Sequence, residues 1–425
     1  MIAAAQGQGH RLKIGILGEG FFAWGGGIDY LRLVASSLIV ADPSVELHFL
    51  LPASAHYLLP VSGRHQFGGK KIQSIVQAIY RHFGWSVGQP EPPDVKNVID
   101  TVLGISSEAS VHFVELGDKG LSAMAQKLEL DILLPAMQPL QTGEVPWIGY
   151  LYDYQHAYLP ELFSAEEVAS RNLHFHTMLQ EAKHVIVNSQ AVADDIERFN
   201  PEHLALVSVL PFASAPDPVW IEKAPLDKKH YGINRQYFMI CNQFWQHKDH
   251  LTAWKALALV NKEFPEVELV CTGQTDDNRD ANFFTDLVEV ANKLGIAPRL
   301  KILGFIPKFE QVSLLRQAVA LIQPTLFEGG PGGGATYDAI SLGVPVLLSD
   351  IPVNREITEP NVTFFPAKDS TALAIQMIAE LQKCRNRTVP KPEELLERGF
   401  HRRLLCGQKL LKIIEIATSQ KPMAQ

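Results

Sequence analysis

The stretch Leu321–Ile357, LIQPTLFEGGPGGGATYDAISLGVPVLLSDIPVNREI, holds the densest chemical signal in the chain. An apolar run ends near Gln323, and Glu328 stands at the mouth of a loop with five glycines, Gly329, Gly330, Gly332, Gly333 and Gly334. A helical pattern starts near Ala335, with Asp338 in its first turn. Glycines let backbone approach a ligand closely, and the N–H groups at a helix start favour phosphate. Asp338 is placed to accept hydrogen bonds from ribose or sugar hydroxyls. A flexible strand–helix connection is the plainer reading. Five glycines beside an acidic residue, at a strand's carboxyl end, favour a ligand loop instead.

Working outward, strand-like runs alternate with helical patterns on both sides of this stretch. Toward the N-terminus they are Leu12–Leu17, Val45–Leu51, Val111–Glu115, Asp131–Pro135, Trp147–Leu151 and Val185–Asn188. Nearer to it lie Tyr237–Cys241, Glu268–Thr272, Leu300–Leu303, Ala320–Gln323 and Val346–Ser349. Such alternation predicts parallel sheets covered on both faces. Pro211–Lys229 contains four prolines without periodicity and suits a linker between domains. The expected architecture is therefore α/β, with two Rossmann-like doubly wound domains facing a cleft. The first spans 1–212 and the second 213–399, with a last helix over about 400–425 that packs back on the first.

Composition agrees with an ordinary globular chain: 425 residues, 46% hydrophobic and 20% charged. A net charge of −8 disfavours a general nucleic-acid binder. The four cysteines, Cys241, Cys271, Cys384 and Cys406, lack metal-ligand spacing and read as free thiols. The N-terminus lacks the pattern of a signal peptide, and no apolar run is long enough to span a membrane. A cytoplasmic protein is expected. The segment 69–85 forms one apolar helical stripe (Ile72, Ile75, Val76, Ile79, Tyr80, Phe83) flanked by Lys70, Lys71, Arg81 and His82. Such a helix suits peripheral contact with an anionic inner membrane face, although packing on its own domain is the commoner use of the pattern.

The Leu321–Ile357 stretch resembles the donor-binding signature of retaining glycosyltransferase family 4, which has the GT-B fold. The matching positions are Glu328, the glycine loop, Asp338-Ala339 leading to Gly343, Val344-Pro345-Val346, and Ser349-Asp350 through Glu356. The resemblance implies that Glu328 meets the transferred sugar near the reaction centre and that Asp338 binds the ribose. It places the donor diphosphate at Gly330 and Gly332–Ala335. Nine residues separate the two acids here, a longer loop than the family pattern.

Other segments extend the resemblance. Lys248, in YFMICNQFWQHKDHL, matches the lysine that holds the diphosphate, while Gln243 stands where the family often has an arginine. Gly304-Phe305-Ile306 matches the loop whose backbone reads the base, and Gly273 lies near the phosphates. Gly26 and Gly27, after the first strand, match the glycine loop facing the donor. The earlier pair Gly18 and Gly20 fails the dinucleotide pattern because Ala23 follows. In WIGYLYDYQHAYLPELF, His156 is the first choice for contact with the reacting sugar and Asp153 for the acceptor. Ser189 reads as a packing residue beside the cleft.

The resemblance implies transfer from a nucleotide-sugar to a hydroxyl of a glycan or lipid-linked acceptor. Configuration would be retained, with no metal and no further cofactor. Two other readings stay open at this point. One is a sugar-nucleotide epimerase or hydrolase of the same fold, and the other is a catalytically silent sugar-nucleotide-binding protein.

Overall fold

The computed structural model describes residues 11–21, 25–52, 109–114, 117–275, 277, 279–280, 282–384, 386–388 and 390–419. The basic amphipathic segment 69–85 lies outside the described residues.

The first sheet is built from β1 (Lys13–Leu17), β2 (Glu46–Pro52), β3 (Ala109–Val114), β4 (Ile132–Ala136), β5 (Trp147–Tyr150), β6 (His184–Val187) and β7 (Leu206–Val209). Helices α1 (Gly25–Ala41), α2 (Asp118–Leu128), α3 (Ala165–Glu181) and α4 (Gln190–Phe199) cover it. The second sheet contains β8 (Tyr237–Cys241), β9 (Glu268–Thr272), β10 (Leu300–Gly304), β11 (Leu321–Gln323), β12 (Val346–Ser349) and β13 (Val362–Phe365). Its helices are α5 (His250–Val260), α6 (Phe283–Lys293), α7 (Lys308–Leu315), α8 (Gly333–Ser341) and α9 (Ser370–Cys384), before the closing helix α10 (Pro392–Ser419).

Strand order is β3-β2-β1-β4-β5-β6-β7 in one sheet and β10-β9-β8-β11-β12-β13 in the other. Every pairing is parallel. The expected pair of doubly wound sheets is thus the observed one. Inner strands are buried along their whole length because both faces are covered: Ile132–Ala136 and Glu268–Thr272 are buried at every position. Each sheet reverses its direction of growth once, between β1 and β4 and between β8 and β11. Loops leaving the carboxyl ends of neighbouring strands diverge at such a point and open a crevice.

Strands β7 and β13, and helix α4, add to the elements expected from sequence. Both strands are short edge strands with half-buried residues, so neither carries the apolar run that marked the others. The proline-rich connection is held to the second domain rather than free. The Arg316 guanidinium donates to the Trp220 carbonyl at 2.5 Å and to Lys223 at 2.9 Å, and Gln317 donates to Leu226 at 2.9 Å.

Helix α10 belongs to both domains. Leu395, near its start, is buried with Val346 and Ile340 of the second. Cys406, Leu410, Ile413, Ile414 and Ala417 are buried with Tyr30, Val34 and Leu38 of the first. Gly407 makes the close α1–α10 crossing feasible: a Cβ there would collide with the Ser37 carbonyl and lie 2.7 Å from the Ala41 Cβ. Replacing Gly407 by Val should therefore push the two helices apart. Overpacking of this kind costs roughly 1–3 kcal/mol, read as a lowered melting temperature; an unchanged melting curve would contradict the packing.

Candidate active site

At the crevice between β8 and β11 two loops of the second sheet meet. The loop after β8 runs to Lys248, and the loop after β11 runs to Glu328. Backbone bonds bind the two loops together. The His247 carbonyl accepts from Leu326 N–H at 2.7 Å and from the Thr325 hydroxyl at 3.3 Å. With the loops so joined, the Lys248 ammonium donates to Glu328 Oε1 at 2.5 Å. Both side chains are largely covered, at 14% and 11% exposure. Gln323, buried at the end of β11, donates to the same Oε1 at 3.3 Å, and its own oxygen accepts from Asn242 at 2.7 Å. One buried polar chain thus links Asn242, Gln323, Glu328 and Lys248.

The glycine loop is shaped for two close approaches. Gly332 and Gly333 have φ of 72° and 70°, a left-handed conformation that glycine adopts without strain. Gly329 allows contact between domains: a Cβ there would strike the Tyr152 carbonyl and lie 2.7 Å from the Asp153 Cβ. The Gly332 N–H donates to Asn354 Oδ1 at 2.7 Å, and Asn354 in turn donates to the Ser349 carbonyl at 2.9 Å. Gly332 is therefore bound within the protein. The N–H groups of Gly334 and Ala335, in the first turn of α8, have no intrahelical partner by geometry and remain to meet an anion.

The structure joins some of the residues anticipated from sequence and separates others. Lys248 and Glu328 meet, and Gly330 abuts Asn188 of the first domain, where a Cβ would lie 3.3 Å from the Asn188 Cβ. Gly273 and Gly304 are adjacent, the Gly273 N–H donating to the Gly304 carbonyl at 2.8 Å, with Phe305 and Ile306 following. Gln243 lies in the loop after β8, its carbonyl accepting from Trp245 N–H at 2.9 Å. Gly26 and Gly27 form the first turn of α1. Asp338 is engaged by Lys308 at 2.5 Å. The same ammonium lies 3.6 Å from Asp29 of α1, so one cation links the domains. Burial alone would lower the Lys308 pKa, but the Asp338 and Asp29 carboxylates outweigh it and hold the pKa above its usual value.

Asp153 lies at the Gly329 contact and accepts from the Gln155 N–H at 2.9 Å. Burial raises its pKa, against the pull of that bond and of the Arg171 charge. His156 keeps its Nδ1 without a hydrogen-bond partner among the described residues. It is 1% exposed, hydrogen-bonded to Asn172 Oδ1 at 2.9 Å, and surrounded by the rings of Tyr154, Phe163 and Phe175. Ser189 caps α4 by accepting from Val192 N–H at 3.1 Å, and donates across the cleft to the Gly329 carbonyl at 2.9 Å.

Several partners escaped the sequence reading: Gln323, Asn242, Asn354, Lys308, Asp29 and Glu356. Glu356 had a signal, since it ends the S-D-x-P-x-x-x-E pattern. Its carboxylate accepts from the Gln190 and Ala191 N–H groups, each at 2.8 Å, and so holds the start of α4 onto the second domain. A carboxylate at a helix N-terminus satisfies orphan donors and complements the helix dipole.

Two buried histidines beside Lys248 generate a pH prediction. Burial pushes His247 down to about 2 and His250 down to about 3, with the Lys248 charge adding to both shifts. Below about pH 6.5 the unfolded chain takes up protons that the native chain refuses. Stability should fall with decreasing pH by about 1.4 kcal/mol per pH unit for each histidine. His250 stacks on Phe244 with ring centres 4.1 Å apart. Replacing His250 with Phe should flatten the decline between pH 6.5 and 5 in denaturant titrations; an unaltered slope would contradict the assignment.

Comparison with known proteins follows the same division. Residues 225–395 match the family described as glycosyl transferases group 1. No curated protein matches the chain in sequence. Solved structures match nearly its whole length. Anabaena HepE in complex with UDP and glucose has a TM-score of 0.59 at 16% identity, over 96% of this chain and 100% of that one. A glycosyltransferase from Rickettsia africae has 0.59 at 12%, over 97% and 100%. Sucrose-phosphate synthase from Thermosynechococcus elongatus has 0.58 at 12%, over 96% and 99%. The chain has the GT-B fold, and its second domain matches glycosyl transferases group 1.

Proposed function

We propose that the chain is a glycosyltransferase that moves a sugar from a nucleoside-diphosphate-sugar to an acceptor hydroxyl, with retention of configuration and without a metal. The observation that carries this reading is the Lys248–Glu328 pair under a glycine loop at the β8/β11 switch point. The donor diphosphate would rest on the Gly334 and Ala335 N–H groups and on Lys248. An ammonium has three donors, of which Glu328 occupies one, leaving two for phosphate oxygens. Glu328 would hold hydroxyls of the sugar undergoing transfer, and Asp338 the ribose. UDP, held by Anabaena HepE, is the first nucleotide to try.

The acceptor would enter from the first domain. A cavity of about 170 Å³ opens at the carboxyl ends of β1 to β4, lined by Leu17, Glu19, Pro52, Val114 and Met137. In the transfer step the acceptor oxygen bonds to the anomeric carbon as the bond from that carbon to phosphate breaks. The departing phosphate oxygen takes the acceptor's proton, so no separate base is required. Lys248 and the α8 amides stabilise the charge that develops on the leaving group. Closure across the cleft excludes water. Glycan acceptors, including lipid-linked ones, suit this arrangement. Peripheral membrane contact through 69–85 belongs to the same proposal; among the described residues no helix is long and apolar enough to cross a membrane.

Lys248→Met and Glu328→Gln should each reduce transfer at least about 100-fold, the scale of losing one positioned charge contact. Each also strands a buried charge and should lower stability. The double variant removes both charges, so its stability should recover while transfer stays lost. Product formation from radiolabelled nucleotide-sugars, with anomer assignment by NMR and assays in chelator, measures all of this. Full turnover by the single variants, an inverted product, or loss of activity in chelator would each overturn the corresponding part.

A further inference from the structure

Two arginines from opposite domains converge on one aromatic ring at the cleft. The Arg171 guanidinium, from α3, lies 4.7 Å from the centre of the Phe163 ring. Arg279, from the loop after β9, lies 4.9 Å from the same ring. Each also meets a ring of its own domain, Arg171 over Tyr152 at 5.6 Å and Arg279 over Trp245 at 5.5 Å. Neither guanidinium has an ion pair or side-chain hydrogen bond among the described residues.

Two carboxylates whose charge reaches them each have one oxygen held by a backbone N–H. Glu167 accepts from the Ser164 N–H at 2.8 Å in the capping box of α3, and Asp153 accepts from Gln155 N–H. A ring can stabilise a cation, but two guanidiniums on one ring repel each other. Their N–H donors lack protein acceptors. This is the arrangement that an incoming anion would complete, because a guanidinium fork matches phosphate and carboxylate geometry.

Location narrows which anion. Tyr152, under Arg171, presents its carbonyl to Gly329, the residue after Glu328. The Arg279 charge reaches His247, the residue before Lys248. Through Tyr152 and Trp245 the two arginines therefore lie beside the loops that carry Glu328 and Lys248. The α8 amides offered to the donor diphosphate are on a different element.

We propose that Arg171 and Arg279 form a clamp for a phosphate or carboxylate carried by the acceptor, so that the acceptors of this enzyme are anionic rather than neutral sugars. The proposal rests on the transferase reading above. Because each domain supplies one arginine, an anionic acceptor also holds the cleft closed.

Inorganic phosphate is the probe, titrated calorimetrically into the full chain with and without a saturating nucleoside diphosphate, UDP or GDP, whichever binds. Phosphate should bind with the nucleotide present. Arg171→Gln and Arg279→Gln should each weaken it at least tenfold while leaving nucleotide affinity unchanged. Arg279 is exposed, so its variant tests the clamp even if Arg171→Gln folds poorly. Absence of phosphate binding, unchanged affinity in the Arg279 variant, or displacement of phosphate by the nucleotide would each overturn the proposal; displacement would assign the anion to the donor's diphosphate. If neither nucleotide binds, the donor reading fails, yet the phosphate titration still reports on the arginines. In assays, a sugar phosphate should accept where the same sugar without phosphate does not, and equal rates would contradict an anionic acceptor.

Discussion

The reversal of strand order between β8 and β11 is the constraint on which the cleft depends. Parallel strands deliver all their carboxyl ends to one edge, and a reversal makes two neighbouring loops leave in opposite directions. Lys248 and Glu328 are 80 positions apart in the chain, yet their loops start from neighbouring strands, β8 and β11. The His247 carbonyl then fixes the remaining distance through bonds to Thr325 and Leu326. Taking an ammonium and a carboxylate out of water is expensive, and their mutual attraction need not repay it. The buried pair is therefore weak evidence for stability.

A second layer of order comes from contacts across the domains. Glu356 caps α4, Ser189 bonds Gly329, and Lys308 lies between Asp338 and Asp29. Helix α10 ties the far side, since its start is buried in one domain and its end in the other. The glycine loop is held on both sides: Asn354 grips it from within its own domain, and the loop after β5 touches it from the other. Gly329 tolerates that touch because it has no Cβ.

Much of the fold was legible in the chain because buried parallel strands are nearly uniform apolar runs. Tyr237–Cys241, Glu268–Thr272 and Val346–Ser349 coincide with their strands residue for residue. The edge strands β7 and β13 were not, since half-buried residues carry a diluted pattern. The glycine loop was legible because few other sequences so concentrate φ freedom next to a helix start. His156 illustrates the opposite case. An isolated histidine after a strand does not disclose the rings around it, here Tyr154, Phe163 and Phe175, nor that its Nδ1 is left without a partner among the described residues.

Sequence alone determined the two α/β halves, the strand periodicity and the position of a glycine loop between a strand and a helix, because local patterns record burial and backbone freedom. Tertiary structure alone decided which side chains meet. It paired Lys248 with Glu328 and Lys308 with Asp338, committed the Gly332 N–H to Asn354, and brought Arg171 and Arg279 to one ring. Those outcomes depend on strand order and on how the domains close. Neither leaves a trace in the spacing of residues along the chain, since these partners are separated by 22, 30 or 80 positions and selected only by three-dimensional proximity.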